Sequence, residues 1–199
     1  MKTNQNENKP KPALRRLMAG NHIFTKSDYN PADISRKRAH EVNKNGQTPY
    51  AVILSCSDSR VPPEHIFSAG IGELFVIRTA GNVVGETELD SIEFAVQHFQ
   101  VPLVVIMGHT RCAAVALAFS RVQFPRRSNT NGHMYSFIRE IKSGLDGAKT
   151  ESDALRNHIR HSKQRVLENK TVRFLAETEQ LSVICAEYNV VTGHVTIFD

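Results

Sequence analysis

With 199 residues, 40% of them hydrophobic and 23% charged, the chain is long enough to bury a sizeable core in one domain and too short for two full ones. The net charge is +5 at pH 7, yet the basic residues are scattered from Arg15 to Arg173 among acids and without interleaved aromatics. That pattern argues for a solvated surface and against nucleic acid as a partner. No apolar run approaches the roughly 20 residues that a membrane span needs, and the first residues lack the apolar stretch of a secretory leader. We therefore expect a cytoplasmic protein with no membrane partner, in which three cysteines, an odd number, point to metal or redox use before disulfides.

In chain order, residues 1–12 are polar, contain Pro10 and Pro12, and read as a flexible tail ahead of a single domain over 13–199. Leu14, Leu17 and Met18 recur at helical spacing with Gly20-Asn21 as the expected stop, and a second helix is predicted from Pro31 to Asn43 with Ile34, Ala39 and Val42 as its apolar positions. These two helices, within 13–45, find little of their own to pack on, and are expected to lie on a sheet or on a partner subunit. A turn at 44–49 leads to a strand from Tyr50 to Ser55, apolar on both faces as a central parallel strand should be. A short helix from Pro62, a strand over Glu73–Arg78, a helix over Glu88–Phe99, a strand from Pro102 and a helix from Cys112 to about Arg121 follow. Residues 123–132 read as a loop, Met134–Ile141 and Glu151–Glu179 as helix, the latter in two pieces. Leu181–Ala186 is a strand, and His194–Phe198 closes the chain as an antiparallel edge. The alternation makes an α/β fold, a mostly parallel central β-sheet flanked by helices, with an N-terminal helical arm and that antiparallel edge strand.

Two polar clusters sit where buried strands end. Ser55-Cys56-Ser57-Asp58-Ser59-Arg60 follows one apolar run, and Gly108-His109-Thr110-Arg111-Cys112 follows another. In an open α/β sheet, ligands bind beyond the carboxyl ends of the strands, so Cys56, His109 and Cys112 fall in the crevice with a donor set that zinc favours. If the segment after Cys56 stays extended, Cys56, Asp58 and Arg60 share one face. Asp58 then has two competing roles, filling the fourth position of a closed site or pairing with Arg60 and orienting a zinc-bound hydroxide in an open one. Arg60→Ala should favour the closed form. By contrast, Cys185 lies in an apolar strand and reads as core, and His65, His98, His133, His158 and His161 read as surface histidines.

Cys56-x-Asp58-x-Arg60 followed by His109-x-x-Cys112 resembles the β-class carbonic anhydrases. The likeness extends through Gly46-Gln47, Gly72-Glu73-Leu74-Phe75-Val76-Ile77-Arg78 with Ala80-Gly81-Asn82, and Thr192-Gly193-His194-Val195, covering roughly residues 14 to 198. The resemblance implies a zinc enzyme interconverting carbon dioxide and bicarbonate by attack of zinc-bound hydroxide, with no cofactor beyond Zn2+. It also implies self-association as a dimer or dimer of dimers through the helical arm at 13–45. Cys56, His109 and Cys112 match the zinc ligands, Asp58 and Arg60 the catalytic pair beside them, and Gln47, Phe75, Ala80 and Ala113 the substrate pocket, with Phe75 and Ala80 reaching the neighbouring subunit's site. Two thiolates should make the metal a weaker acid than three histidines would, so activity is expected to climb toward alkaline pH.

Two departures from the family are visible. Ala113-Ala114 replaces a glycine pair after the second cysteine, which should narrow the pocket, and Ile53 stands where members with a regulatory bicarbonate site carry tryptophan, so no such site is expected. Two alternatives use the same residues: zinc-dependent hydrolysis of a related small molecule such as carbonyl sulfide or carbon disulfide, and a noncatalytic interaction protein stabilised by a closed zinc site.

Overall fold

The structure, a computed structural model, describes residues 9–123 and 134–199. In chain order the elements are α1 (Pro10–Lys26), α2 (Arg36–Asn45), β1 (Ala51–Cys56), α3 (Pro63–Ile66), β2 (Leu74–Thr79), a 3-10 turn (Ala80–Asn82), α4 (Glu86–His98) and β3 (Leu103–His109). They continue with α5 (Ala113–Gln123), α6 (Met134–Ser143), α7 (Glu151–Glu168), α8 (Lys170–Glu177), β4 (Ser182–Tyr188) and β5 (Val195–Phe198). The five strands form one sheet in the order β2-β1-β3-β4-β5, parallel except for the β4-β5 pair, so the closing strand is the antiparallel edge its sequence suggested. Most of the loop expected at 123–132 lies outside the described residues, as do residues 1–8 of the expected tail and His133.

All residues of β1 and β3 are buried, because helices cover the sheet on both sides. Successive side chains point to opposite faces. Val52, Leu54, Val104, Ile106 and Cys185 join the core beneath α4 to α8, whereas Ala51, Ile53, Val105, Met107 and Ala186 join a second core beneath α1 and α3. Cys185 is thus core, as its apolar flanks implied.

The amino-terminal region departs from the sequence reading in three ways. First, α1 begins at Pro10, because prolines in a first turn lack only N–H groups that have no helical partner there. Second, it runs through Gly20 instead of stopping. Gly20 is a point of close approach: a Cβ there would lie 1.8 Å from the Phe67 carbonyl oxygen, and Ser68 Oγ donates to the Gly20 carbonyl. The adjoining Asn21 is buried, donating to the carbonyls of Ile66 and Gly193 and accepting from the Val195 amide, so α1 is sewn to both α3 and β5. Third, α2 begins only after Ser35, whose hydroxyl accepts from the Arg38 amide, and not at Pro31. Of the two helices expected to lie on a sheet or on a partner subunit, α1 lies on the sheet through Ala13 and Leu17, while no residue of α2 is buried.

The helix predicted over Glu151–Glu179 breaks at Asn169, whose side chain accepts from the amides of Thr171 and Val172 and so starts α8. At the other end Thr150 and Asp153 cap α7 reciprocally, each side chain accepting from the other's backbone amide. This cap fixes the phase in which α7 meets the sheet.

Candidate metal centre

Cys56 is the last residue of β1 and His109 the last of β3, the strand beside it, so the two side chains emerge at the same end of the sheet. Cys112 follows two residues of turn and accepts the first amide bond of α5, Ala116 N–H to its carbonyl at 3.0 Å. The ligand atoms of Cys56, His109 and Cys112 all lie within 4.8 Å of one another, and all three residues are buried. The sequence-derived trio is therefore assembled by the fold.

The donor atoms are prepared for a cation. His109 Nδ1 lies 3.0 Å from the Thr110 carbonyl oxygen, which only accepts, so Nδ1 carries the proton and Nε2 presents its lone pair. Nε2 is buried without a hydrogen-bond partner among the described residues, an arrangement that a divalent ion satisfies. Between the sulfurs, the Cys112 thiol donates to Cys56 and draws its pKa down. The backbone amides of Asp58 and Gly81 reinforce the effect against burial. The same bond, together with burial, pushes the Cys112 thiol up, although the amides of Val115 and Ala114 in the first turn of α5 oppose this. A bound dication would remove the contest, since both sulfurs would ionise against its charge.

The segment after Cys56 is a turn, not the extended run that would alternate Cys56, Asp58 and Arg60 on one face: the Val61 amide donates back to the Asp58 carbonyl at 3.0 Å. Asp58 and Arg60 meet all the same. Arg60 Nε and Nη2 donate to the two carboxylate oxygens at 2.9 and 2.7 Å, and the Arg60 amide donates to Oδ1. The guanidinium holds the Asp58 carboxyl well below the usual carboxylate range. Arg60 Nη2 also donates to the carbonyl of Arg111, tying the β1 turn to the β3 turn, and Asp58 Oδ2 stands 3.9 Å from His109 Nε2. Asp58 thus borders the ligand trio while its carboxylate is occupied by Arg60.

The four pocket residues suggested by resemblance divide into two pairs. Ala80 is exposed beside Gly81, whose amide donates to Cys56 Sγ at 3.3 Å, and Ala113 is exposed next to Cys112. Phe75, by contrast, pairs with Val52, four positions before Cys56 on β1, and packs against Phe94 and Phe99. Gln47 is exposed ahead of the amino end of β1. At ~3.3 Å per strand residue, these two sit more than 10 Å from the ligands of their own chain. A cavity of about 190 Å³ opens beside the ligands on the α7 side, with His109, Cys112, Val115, Leu155 and Glu187 in its lining, and none of the four lines it.

Two contributors escaped the sequence reading. Arg78 donates from β2 to the carbonyls of Cys56 at 3.1 Å and Asp58 at 2.7 Å, holding the β1 turn in place. An arginine closing an otherwise apolar strand was the available signal. His158, expected at the surface, is fully buried, and its Nε2 donates to the Gly81 carbonyl at 2.6 Å. Its spacing with Ala154, Leu155, Ile159 and Ser162 on the buried face of α7 was legible as a helical pattern.

Comparison with known proteins identifies the family. The family model described as "Carbonic anhydrase" matches residues 51–195, which include all three candidate ligands. "Carbonic anhydrase 2" of Mycobacterium tuberculosis is 42% identical over 114 residues, covering 57% of this chain and 54% of that protein. The chain thus spans about half the length of the curated relatives it matches. Among solved structures, the β-carbonic anhydrase CcaA superposes with a TM-score of 0.71 at 22% identity, covering 94% of this chain and 87% of the other. One of two tetrameric β-carbonic anhydrases from Sordaria macrospora gives 0.62 at 23%, covering 81% and 91%. The matched family model, the curated relatives and the mostly parallel sheet agree: the chain belongs to the β-class carbonic anhydrase family.

Proposed function

We propose that this protein catalyses the reversible hydration of carbon dioxide to bicarbonate and a proton, with zinc held by Cys56 Sγ, His109 Nε2 and Cys112 Sγ. The observation that carries the reading is the buried, unpartnered Nε2 of His109 facing two cysteine sulfurs at the carboxyl ends of adjacent strands. Two soft thiolates and one imidazole suit zinc and leave a coordination position for substrate chemistry. When bound there, zinc supplies the Lewis acidity that makes water nucleophilic near neutral pH.

The chain's own residues do the rest. Asp58 is kept ionised and off the metal by its two-pronged bond to Arg60, so its Oδ2 remains an acceptor aimed at the ligand trio. There it would accept a hydrogen bond from the attacking water and orient its oxygen. Arg78 and Arg60 together fix the turn carrying Asp58, which limits the reorganisation needed during reaction.

Gln47, in the loop before β1, and Phe75, on β2 opposite Val52, would complete a substrate pocket in a second copy of the chain, because both lie far along the sheet from the ligands of their own chain. An assembly of dimers fits the surface. β2 is an edge strand, no residue of α2 is buried, and Ile34, Phe94, Leu117 and Val122 are large apolar side chains left exposed. No helix among the described residues is long and apolar enough to cross a membrane.

Purified protein should contain one zinc per chain and hydrate carbon dioxide faster as pH rises, measured by stopped-flow indicator assay with metal analysis. Stoichiometric zinc without hydration, or hydration without zinc, would overturn the proposal.

A further inference from the structure

We propose that His158 and Ser162 of α7 are positioning residues for the metal centre: they grip the Gly81–Asn82 turn so that the Gly81 N–H stays aimed at the Cys56 sulfur. The inference rests on the metal reading above and extends it to a helix that supplies no ligand.

Gly81 and Asn82 both adopt left-handed backbone conformations, with φ of 67° and 46°. Glycine takes this region freely and asparagine more readily than other side chains, so the residues allow the turn and their surroundings decide which way it faces. Here the constraint comes from α7. His158 Nε2 donates to the Gly81 carbonyl at 2.6 Å, and Ser162 Oγ donates to the Asn82 carbonyl at 3.4 Å. The two side chains are one helical turn apart, so a single face of α7 holds two consecutive carbonyls. From the other side Gly81 is wedged against α6 and α5, since a Cβ on it would lie 2.8 Å from Ile141 Cδ1 and 3.0 Å from Ala114 Cβ.

Gly81 is therefore pinned at its carbonyl by His158 and at its Cα by packing, leaving its amide one direction, toward Cys56 Sγ at 3.3 Å. An N–H donated to the sulfur stabilises the negative charge that a metal ligand carries and holds the sulfur in place, so losing the aim of this amide should weaken the hold on a metal. A plain core residue would not explain the choice of histidine. His158 is fully buried, where an imidazole costs more than a leucine, and its Nδ1 has no partner among the described residues. What the imidazole supplies is one donor at one carbonyl. Burial lowers its pKa to about 4, which keeps the ring neutral and, because a carbonyl only accepts, keeps the proton on Nε2.

The test uses the full chain loaded with cobalt(II), whose thiolate-to-metal charge-transfer absorption reports on the sulfurs, together with chelator competition for the metal. In His158→Leu the band should shift and the metal should bind about tenfold more weakly, the lower end of what outer-shell changes produce. His158→Gln, whose amide nitrogen reaches the same place, should restore both, and Ser162→Ala should shift the band slightly. A folded His158→Leu protein with the wild-type band and affinity overturns the inference, as does His158→Gln behaving like leucine. Should His158→Leu fail to fold, a wild-type band in His158→Gln with a shifted band in Ser162→Ala supports it, and the reverse overturns it. An unsubstituted chain that takes up no stoichiometric cobalt overturns the metal reading as well, which separates the two failures.

Discussion

The carboxyl end of the sheet and its amino end are finished to different degrees. At the carboxyl end the three candidate ligands are buried and mutually close, and Arg60, Arg78 and Gly81 of the same chain brace them. Toward the amino end and the β2 edge, Gln47 is exposed, Phe75 and Phe94 form part of an open aromatic cluster, and no residue of α2 is buried. A metal site requires a few atoms within bonding distance, which adjacent parallel strands provide in one chain. A pocket for a small apolar substrate requires walls on several sides, and here some of those walls are left to a second copy.

The comparison breaks first at the ligands. His109→Ala or Cys112→Ser should abolish stoichiometric metal and reduce carbon dioxide hydration to background, read by metal analysis and stopped flow. Retention of both would mean that the carboxyl end is not the centre.

Gly20→Ala tests whether α1 belongs to the monomer rather than to an arm reaching a partner. The added methyl meets the backbone of Phe67 and should destabilise the fold by about 3 kcal/mol, the upper part of the usual overpacking range. A thermal midpoint unchanged from wild type would show that α1 does not seat on α3.

Acid should loosen the carboxyl end through His158. Its folded pKa is depressed from 6.5 to about 4, chiefly by burial, with the nearby His161 adding to the fall and the Gly81 carbonyl and Cys56 opposing it. The neutral ring therefore contributes stability that is fully present above the unfolded pKa and lost as pH falls through the folded one. By linkage the loss is at most about 3 kcal/mol between roughly pH 6.5 and 4. Urea unfolding across that window should show the loss in wild type and a smaller slope in His158→Gln.

Asp58→Asn removes the negative charge and one of the two acceptor oxygens while leaving the ligands in place. Hydration should fall about 10- to 100-fold with metal content unchanged, and a parallel loss of metal would instead mark Asp58 as a ligand. The smallest effect belongs to Gln47→Ala, for which we expect a change of about tenfold or less in kcat/KM, the worth of one hydrogen bond, with full metal content and unaltered unfolding. No change in kcat/KM would leave the amino end outside the pocket.

Much of the centre was legible because it is local. Cys56, His109 and Cys112 each close an apolar run or follow one by a few residues, and parallel strands bring such endpoints to one edge of a sheet whatever the intervening helices do. The Asp58–Arg60 pair was legible for a similar reason, although the turn at 58–61 achieves by a short reversal what an extended segment was expected to do. Gly20 and Pro31 misled because each is a boundary signal only when nothing larger competes: Gly20 is required for the contact with Phe67, and Ser35 offers a better cap than the proline. His158 looked like any surface histidine, since its value lies in a carbonyl 77 positions away in the chain.

By itself the sequence determined the alternation of strand and helix, the identity of the candidate ligands and the family, because hydrophobic period and donor chemistry are properties of residues and their spacing. Only the tertiary structure decided which backbone groups reach those ligands. It set the Gly81 amide on Cys56, Arg78 on the β1 turn and α7 on the left-handed pair, and it left Gln47 and Phe75 far along the sheet from the ligands. Such contacts depend on the close packing of segments far apart in sequence, and no local pattern encodes the distance between them.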